Sequence, residues 1–151
     1  GVMLTPAGPK LLEFNTRFGD PECQALMVRL ESDVIELMLA TGTRSLDEAD
    51  VRWSPEPVCC VVLASAGYPN RYKTAVPIEG LEAAAAVPGV VVFHAGTKRE
   101  PGAGGKIVTS GGRVLNVVGR GATMAEARRR AYDACELIRF EGKTLRRDIG
   151  A

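Results

Sequence analysis

The stretch "TSGGRVLNVVGRGATMAE", Thr109 to Glu126, carries two structural signals in eighteen residues. Arg113 to Arg120 is valine-rich and bounded by glycine on both sides, which is the composition of a strand. Gly111-Gly112 stands between it and the preceding "GKIVTS", where a tight hairpin is expected. Just after Gly121 and Ala122 comes a Thr-x-x-Glu capping box, Thr123 and Glu126, which starts a helix. Ala127, Ala131, Ala134 and Ile138 share one face of that helix, and their small side chains permit close approach to a sheet. A strand followed by a sheet-packing helix is therefore the unit from which the rest is read.

Moving towards the amino end, "VCCVVLAS" (58–65) and "GVVVFHAGT" (89–97) are further valine-rich runs bounded by glycine or proline. With "GKIVTS" and "RVLNVVGRG" they make four strands and a final helix, an α+β module of mostly antiparallel sheet. Thr43 to Pro57 is polar with one tryptophan and reads as a connector or a short helix around "SLDEADVRW". Ahead of it, Asp20 suits an N-cap, Pro21 the first helical position and Glu22 the positive helix end. Leu26, Leu30, Val34 and Leu37 then repeat at helical spacing to about Thr41, with Gly42 as the stop. "GVMLT" and "KLLEFN" around Pro-Ala-Gly-Pro read as a hairpin. The opening in strand-like sequence leads to the expectation that the chain is the carboxyl part of something longer. No internal repeat or low-complexity tract is present.

Composition bounds the function. The 151 residues are 46% hydrophobic and 25% charged, enough apolar material for the core of a globular protein. A net charge of +1 gives no footprint for nucleic acid. No apolar run approaches the roughly 18 to 20 residues that a membrane span needs. The four cysteines (Cys23, Cys59, Cys60, Cys135) lack CxxC or metal-ligand spacing, and Cys59-Cys60 lies in an apolar run. Buried, reduced thiols in a cytosolic compartment are expected.

The chemistry concentrates in "LLEFNTRFGDPE", Leu11 to Glu22. In a strand, Glu13 and Asn15 project to one face, and Arg17 joins them if the strand continues. A carboxylate and an amide oxygen are hard ligands suited to Mg²⁺, which takes one or two carboxylates and completes its octahedron with phosphates and water. A guanidinium beside them suits a phosphate or carboxylate. A solvated strand end with local ion pairs has the same spacing, so both readings stand on the residues alone. His94 is the only histidine, and its apolar strand favours a packed, hydrogen-bonded role over a catalytic one. Arg128-Arg129-Arg130 reads as a solvated helix face, and Tyr68 as lining a cleft or packing.

In its ordered motifs the chain resembles the glycinamide ribonucleotide synthetase family of ATP-grasp ligases. "LEFNTRFGDPE", "LASAGYP", "FHAGT", "TSGGRVLNVVGRG", "AYDA" and "RRDIG" resemble that family in the right order and cover essentially the whole chain. One departure is Asn70, and another Lys73-Thr74, where the family has a second glycine and a Lys-Gly pair. The resemblance implies that residues 1–42 end an ATP-grasp domain and that residues 43–151 form the carboxyl-terminal domain. It implies a ligase that joins glycine to 5-phosphoribosylamine with ATP through an acyl phosphate, in purine biosynthesis. Glu13 and Asn15 would be ligands of Mg²⁺ or Mn²⁺, bridging it to ATP. Arg17 and Asp20 would be catalytic, substrate-side residues. Arg113, from its place beside the Gly111-Gly112 turn rather than from the resemblance, reads as a substrate contact to phosphate. The remaining amino-terminal domains of the same enzyme are the implied protein partner. Two alternatives stay open: a non-catalytic binding or assembly module of ATP-grasp descent, or another ATP-grasp purine ligase.

Overall fold

The structure, a computed structural model, describes residues 1–102 and 104–151. Its centre is an antiparallel sheet of β3 (Val58–Ser65), β4 (Val90–His94), β7 (Arg113–Arg120) and β8 (Lys143–Thr144), in spatial order β4-β7-β3-β8. The alternation expected of a strand is complete in β3: Cys59, Val61, Leu63 and Ser65 are buried while their neighbours are only half-buried. Register places Val61 beside Val117 and Leu63 beside Leu115, so these four side chains share one face.

Helix α4 (Met124–Leu137) covers that face, as the sequence expects. Thr123 caps it by accepting from the Glu126 amide at 3.2 Å. The return half of the box goes instead to Ala122, whose amide donates to Glu126 Oε2 at 2.9 Å. Ala127, Ala131, Ala134, Cys135 and Ile138 have no exposed surface. Gly119 is where helix and sheet touch, for a Cβ there would run into the Ala127 carbonyl and the Ala131 backbone. Each Leu, Val or Ile buried in this layer contributes about 1.5–3 kcal/mol. The layer therefore holds most of the fold's apolar stabilisation.

The other strands correct the sequence reading. No hairpin forms across Gly111-Gly112. The strand β6 (Ile107–Thr109) pairs instead with β5 (Thr97–Arg99) in a separate two-stranded sheet, while β7 lies between β4 and β3. The two glycines turn a corner between the sheets. Gly111 packs on Gly96, and the Tyr68 ring lies where a Cβ on Gly112 would be. A short helix α3 (Leu81–Ala85) precedes β4.

The amino-terminal part also differs from expectation. A hairpin forms, β1 (Val2–Thr5) with β2 (Gly8–Leu11), but its second strand ends at Leu11, short of Glu13 and Asn15. The single expected helix is two, α1 (Glu22–Arg29) and α2 (Val34–Thr43). Asp33 causes the break: its carboxylate accepts from the Ile35 and Glu36 amides and starts α2 afresh. Leu30 leaves the helix to form a β-bridge with Trp53. Gly42 lies within the last turn of α2, and the left-handed cap is Arg44. Leu26, Leu30, Val34 and Leu37 are half-buried, so the stripe is real although the helix is broken. The connector contains one 3-10 turn, Leu46–Glu48.

The helix α1 docks on the sheet face opposite α4. Met27 and Val28 share an apolar crevice with Val91 and Phe93. At its far end, the Arg29 side chain donates twice to the Ser54 carbonyl, at 3.1 and 2.8 Å, and the Arg29 carbonyl accepts from the Ser54 amide. The segment ahead of α1 is thereby set against the start of β7.

Candidate functional site

The five residues singled out in the sequence line one cavity of about 440 Å³, together with Phe18, Gly19 and Glu22. Four of them, Glu13, Asn15, Arg17 and Asp20, come from the segment between hairpin and α1. Arg113 comes from the start of β7, and its guanidinium is what joins the two parts of the chain.

Glu13 and Asn15 lie beyond the end of β2, so the regular strand expected to align them is absent. Their side chains nevertheless meet: Asn15 Nδ2 donates to Glu13 Oε1 at 3.2 Å. Both residues are exposed. Among the described residues no group of three His, Cys, Asp or Glu could hold a metal ion. The donor set here is one carboxylate and one amide oxygen at an open cavity. That set fits a hard cation which draws its remaining ligands from phosphates and water. Arg17 makes one long hydrogen bond, 3.5 Å to the Phe18 carbonyl, and has no acidic partner among the described residues.

Asp20 does not cap α1. Pro21 occupies the N-cap position, and no side chain caps it. The carboxylate is engaged otherwise. Arg113 Nη2 lies 3.0 Å from Asp20 Oδ2, and Arg113 Nη1 donates to the Asp20 carbonyl at 2.8 Å. Gln24 Nε2 donates to the remaining oxygen, Oδ1, at 3.0 Å. Two donors from one guanidinium fix both position and orientation, a constraint a lysine could not reproduce.

The Arg113 backbone is itself well held. Its carbonyl accepts from the Gly96 amide at 2.9 Å, and Ser65 donates to the carbonyls of Gly112 and Gly111 at 2.8 and 3.1 Å. The glycine corner thus aims Arg113 at Asp20. Burial pushes the Cys60 thiol, on the α1 side of β3, up to about 11, with the charges of Cys59 and Asp20 adding to the rise.

Other residues fall outside the cavity. His94 ends β4, exposed, with Nδ1 2.9 Å from Thr97 Oγ1. It is hydrogen-bonded as expected but not packed, because the strand ends there. The basic run on α4 is not one solvated face. Arg128 lies over the Tyr132 ring and donates to the Ile149 and Arg147 carbonyls, Arg130 pairs with Glu126 at 2.8 Å, and Arg129 faces solvent. Tyr68 packs on the Gly112 corner, the packing alternative of its two expectations, and remains 44% exposed. The four cysteines are free thiols. No helix among the described residues is long and apolar enough to cross a membrane.

Two residues of the site escape sequence reasoning, Glu22 and Gln24. Spacing assigns Glu22 no more than a favourable charge at a helix start. Its Oε1 accepts from the Gly19 amide at 2.8 Å, and its side chain fills the space a Cβ on Gly19 would need. Gln24, one turn beyond Asp20, carries a usable signal in that i, i+4 spacing.

Residues 58–151 match the family model for the phosphoribosylglycinamide synthetase C domain. A phosphoribosylamine–glycine ligase of Caulobacter vibrioides is 54% identical over 151 residues, covering 99% of this chain and 35% of that protein. The chloroplastic phosphoribosylamine–glycine ligase of Arabidopsis thaliana is 49% identical over 143 residues, covering 94% of this chain and 26% of its own length. The crystal structure of phosphoribosylamine–glycine ligase from Thermotoga maritima superposes with a TM-score of 0.70 at 36% identity, covering 98% of this chain and 35% of that one. The chain spans about a third of the length of the first of these relatives.

Proposed function

Since this chain belongs to the family of the phosphoribosylglycinamide synthetase C domain, we propose that it is part of an ATP-dependent ligase. The reaction would join glycine to 5-phosphoribosylamine, giving glycinamide ribonucleotide, ADP and phosphate in purine biosynthesis. The observation that carries this reading is the one cavity lined by Glu13, Asn15, Arg17, Asp20 and Arg113, residues brought from two distant parts of the chain. The names of the curated relatives support the same activity. We further propose the division of the chain at residues 42 and 43, the first part ending an ATP-grasp domain and the second forming the carboxyl-terminal domain. The remaining domains of the enzyme are its partner, and free thiols suit a cytoplasmic setting.

Glu13 and Asn15 would hold Mg²⁺ or Mn²⁺ beside ATP. When bound, the ion would supply positive charge against the phosphate oxygens. Arg17, with no acidic partner among the described residues, is available to hold an anion, either the glycine carboxylate or a phosphate. That contact would orient the carboxylate oxygen for attack on the γ-phosphorus, with ADP leaving. Capture of the resulting acyl phosphate by the amine of phosphoribosylamine forms the amide and releases phosphate. Asp20 would accept a hydrogen bond from an ammonium or amine. Arg113, half-exposed in the same cavity, would hold Asp20 and contribute positive charge towards a substrate anion.

The test uses the full-length protein that carries this chain. ADP release should require both glycine and phosphoribosylamine, and Arg17→Ala should lose at least about 100-fold in kcat/KM, roughly the 3 kcal/mol of a charged contact made in the transition state. ADP release that ignores glycine, or an Arg17→Ala enzyme of unchanged kcat/KM, would overturn the proposal.

A further inference from the structure

The Asn116 amide and the carbonyl half of the Gln24 amide face the interface between α1 and the sheet unpaired. Asn116 is wholly buried, and neither its Oδ1 nor its Nδ2 makes a hydrogen bond. The Oε1 of Gln24 is buried and also makes none. These are three unsatisfied polar atoms in one layer, where buried polar groups are almost always paired.

Their placement is not random. In β7, Leu115, Val117 and Gly119 face α4, so alternation turns Asn116 to the opposite face. There it lies between Val62 of β3 and Phe93 of β4, on the side that α1 covers. Gln24 is in the first turn of α1, the end tied to the start of β7 by Arg113 and Asp20. Asn116 is three residues along β7 from Arg113. The donor that Gln24 Oε1 lacks and the donor that Asn116 Nδ2 cannot place are thus on facing elements at the same end of the interface. The other half of the Gln24 amide already holds Asp20 Oδ1 at 3.0 Å.

We propose that Gln24 and Asn116 form a buried amide pair across the α1–β7 interface, joined through one bridging water, and that Gln24 is thereby a positioning residue for Asp20. Asp20 is then held from two sides: by Arg113 at the outer edge and by Gln24 from within. The inference rests on the cavity reading above only for what Asp20 does. The pair itself stands without it. Neither Asn116 nor Gln24 lines the cavity, so both act on it only by way of residues that do.

The first arm of the test uses the 151-residue chain and needs no activity. The side-chain amide signals of Gln24 and Asn116 should each show a nuclear Overhauser contact to one shared, slowly exchanging water. Asn116→Val should shift the Gln24 signals. Gln24→Met, near-isosteric, and Asn116→Val, one heavy atom smaller, should each lower Tm by about 2–6 °C, because each leaves its partner orphaned. The double variant should then melt no lower than the worse single one. Additive losses, a rise in Tm for Asn116→Val alone, or the absence of any shared contact in the unaltered chain would overturn the pair. The second arm uses the full-length enzyme: Gln24→Met should raise KM for glycine about tenfold while kcat changes less than about twofold. Unchanged KM beside an intact amide pair would overturn the positioning role alone. Failure of the ligase reaction itself in the unaltered enzyme would instead overturn the functional reading.

Discussion

Arg113 reaches Asp20 across 93 residues of chain, and the strength of that bond is set by its surroundings. Its side chain and that of Asp20 are 38% and 46% exposed, so solvent screens the charge and the pair is worth about 1 kcal/mol at most. Arg113→Ala should accordingly cost little in urea unfolding, yet speed hydrogen exchange in residues 18–24 severalfold. Arg113→Lys should recover less than half of the lost protection, because an ammonium cannot meet the carboxylate and the carbonyl as a fork does. Equal protection in the Arg113→Ala chain would show that the bond does not order the segment. The cysteines give a pH prediction. Burial raises Cys60 to about 11 and Cys135 to about 12 from an ordinary 9.0. Raised thiol values mean that the folded chain holds protons the unfolded chain gives up. This contribution is therefore fully present below pH 9 and is lost as pH rises through 11 to 12. Unfolding free energy should fall over that range, and replacing Cys60 and Cys135 with Ala should flatten the fall. At about pH 8, Cys60 should alkylate far more slowly than a small free thiol, because little of it is thiolate.

The elements show why parts of the fold are legible in sequence and others are not. The helix α4 reads completely, since Thr123, Glu126 and the alanine face are local signals that tertiary structure does not oppose. Strand β3 has its expected ends for the same reason. The glycine pair at 111 and 112 misleads because a hairpin turn and a corner between sheets use the same residues. What decides between them is the long-range pairing of β7 with β3 and β4, which no local spacing reveals. The α1–α2 break is written in Asp33, but periodicity outweighs a capping residue in the middle of an apolar stripe. At the site, Glu13, Asn15 and Arg17 stand out by their chemistry and family motif although the expected strand ends at Leu11. The Arg113–Asp20 bridge is invisible in sequence, because it joins segments that only the fold brings together. Two substitutions test this scale. Gly119→Ala puts a methyl into the Ala127 carbonyl and should cost about 1–3 kcal/mol or prevent folding. Asp33→Ala removes two amide partners and should cost about 1 kcal/mol, read as faster exchange within α2 alone.

At the scale of the molecule, stability is unevenly distributed. The apolar residues with least exposure lie in β3, α3, β6, β7 and α4 with its cap Ile138, whereas Val2, Leu4, Leu11, Leu12 and Phe14 are each more than half exposed. A two-stranded hairpin is marginal in water, so hydrogen exchange should find residues 106–138 protected most and 1–19 opening first. Uniform protection in a dilute monomer would contradict this division. The isolated chain should not make glycinamide ribonucleotide, because Glu13 and Asn15 give only two oxygens to a metal and Arg17 one anion contact. Everything turns on whether that small set of exposed groups does chemistry rather than hold the fold. Glu13→Gln in the full-length enzyme is the most direct measurement, with turnover followed against Mg²⁺ concentration and Tm recorded beside it. An exposed, near-isosteric change should leave stability within about 0.5 kcal/mol, while turnover falls at least about 100-fold and is not restored by saturating Mg²⁺. Near-normal turnover at saturating Mg²⁺, with the same unchanged Tm, would contradict a metal role for Glu13 and with it the site as described.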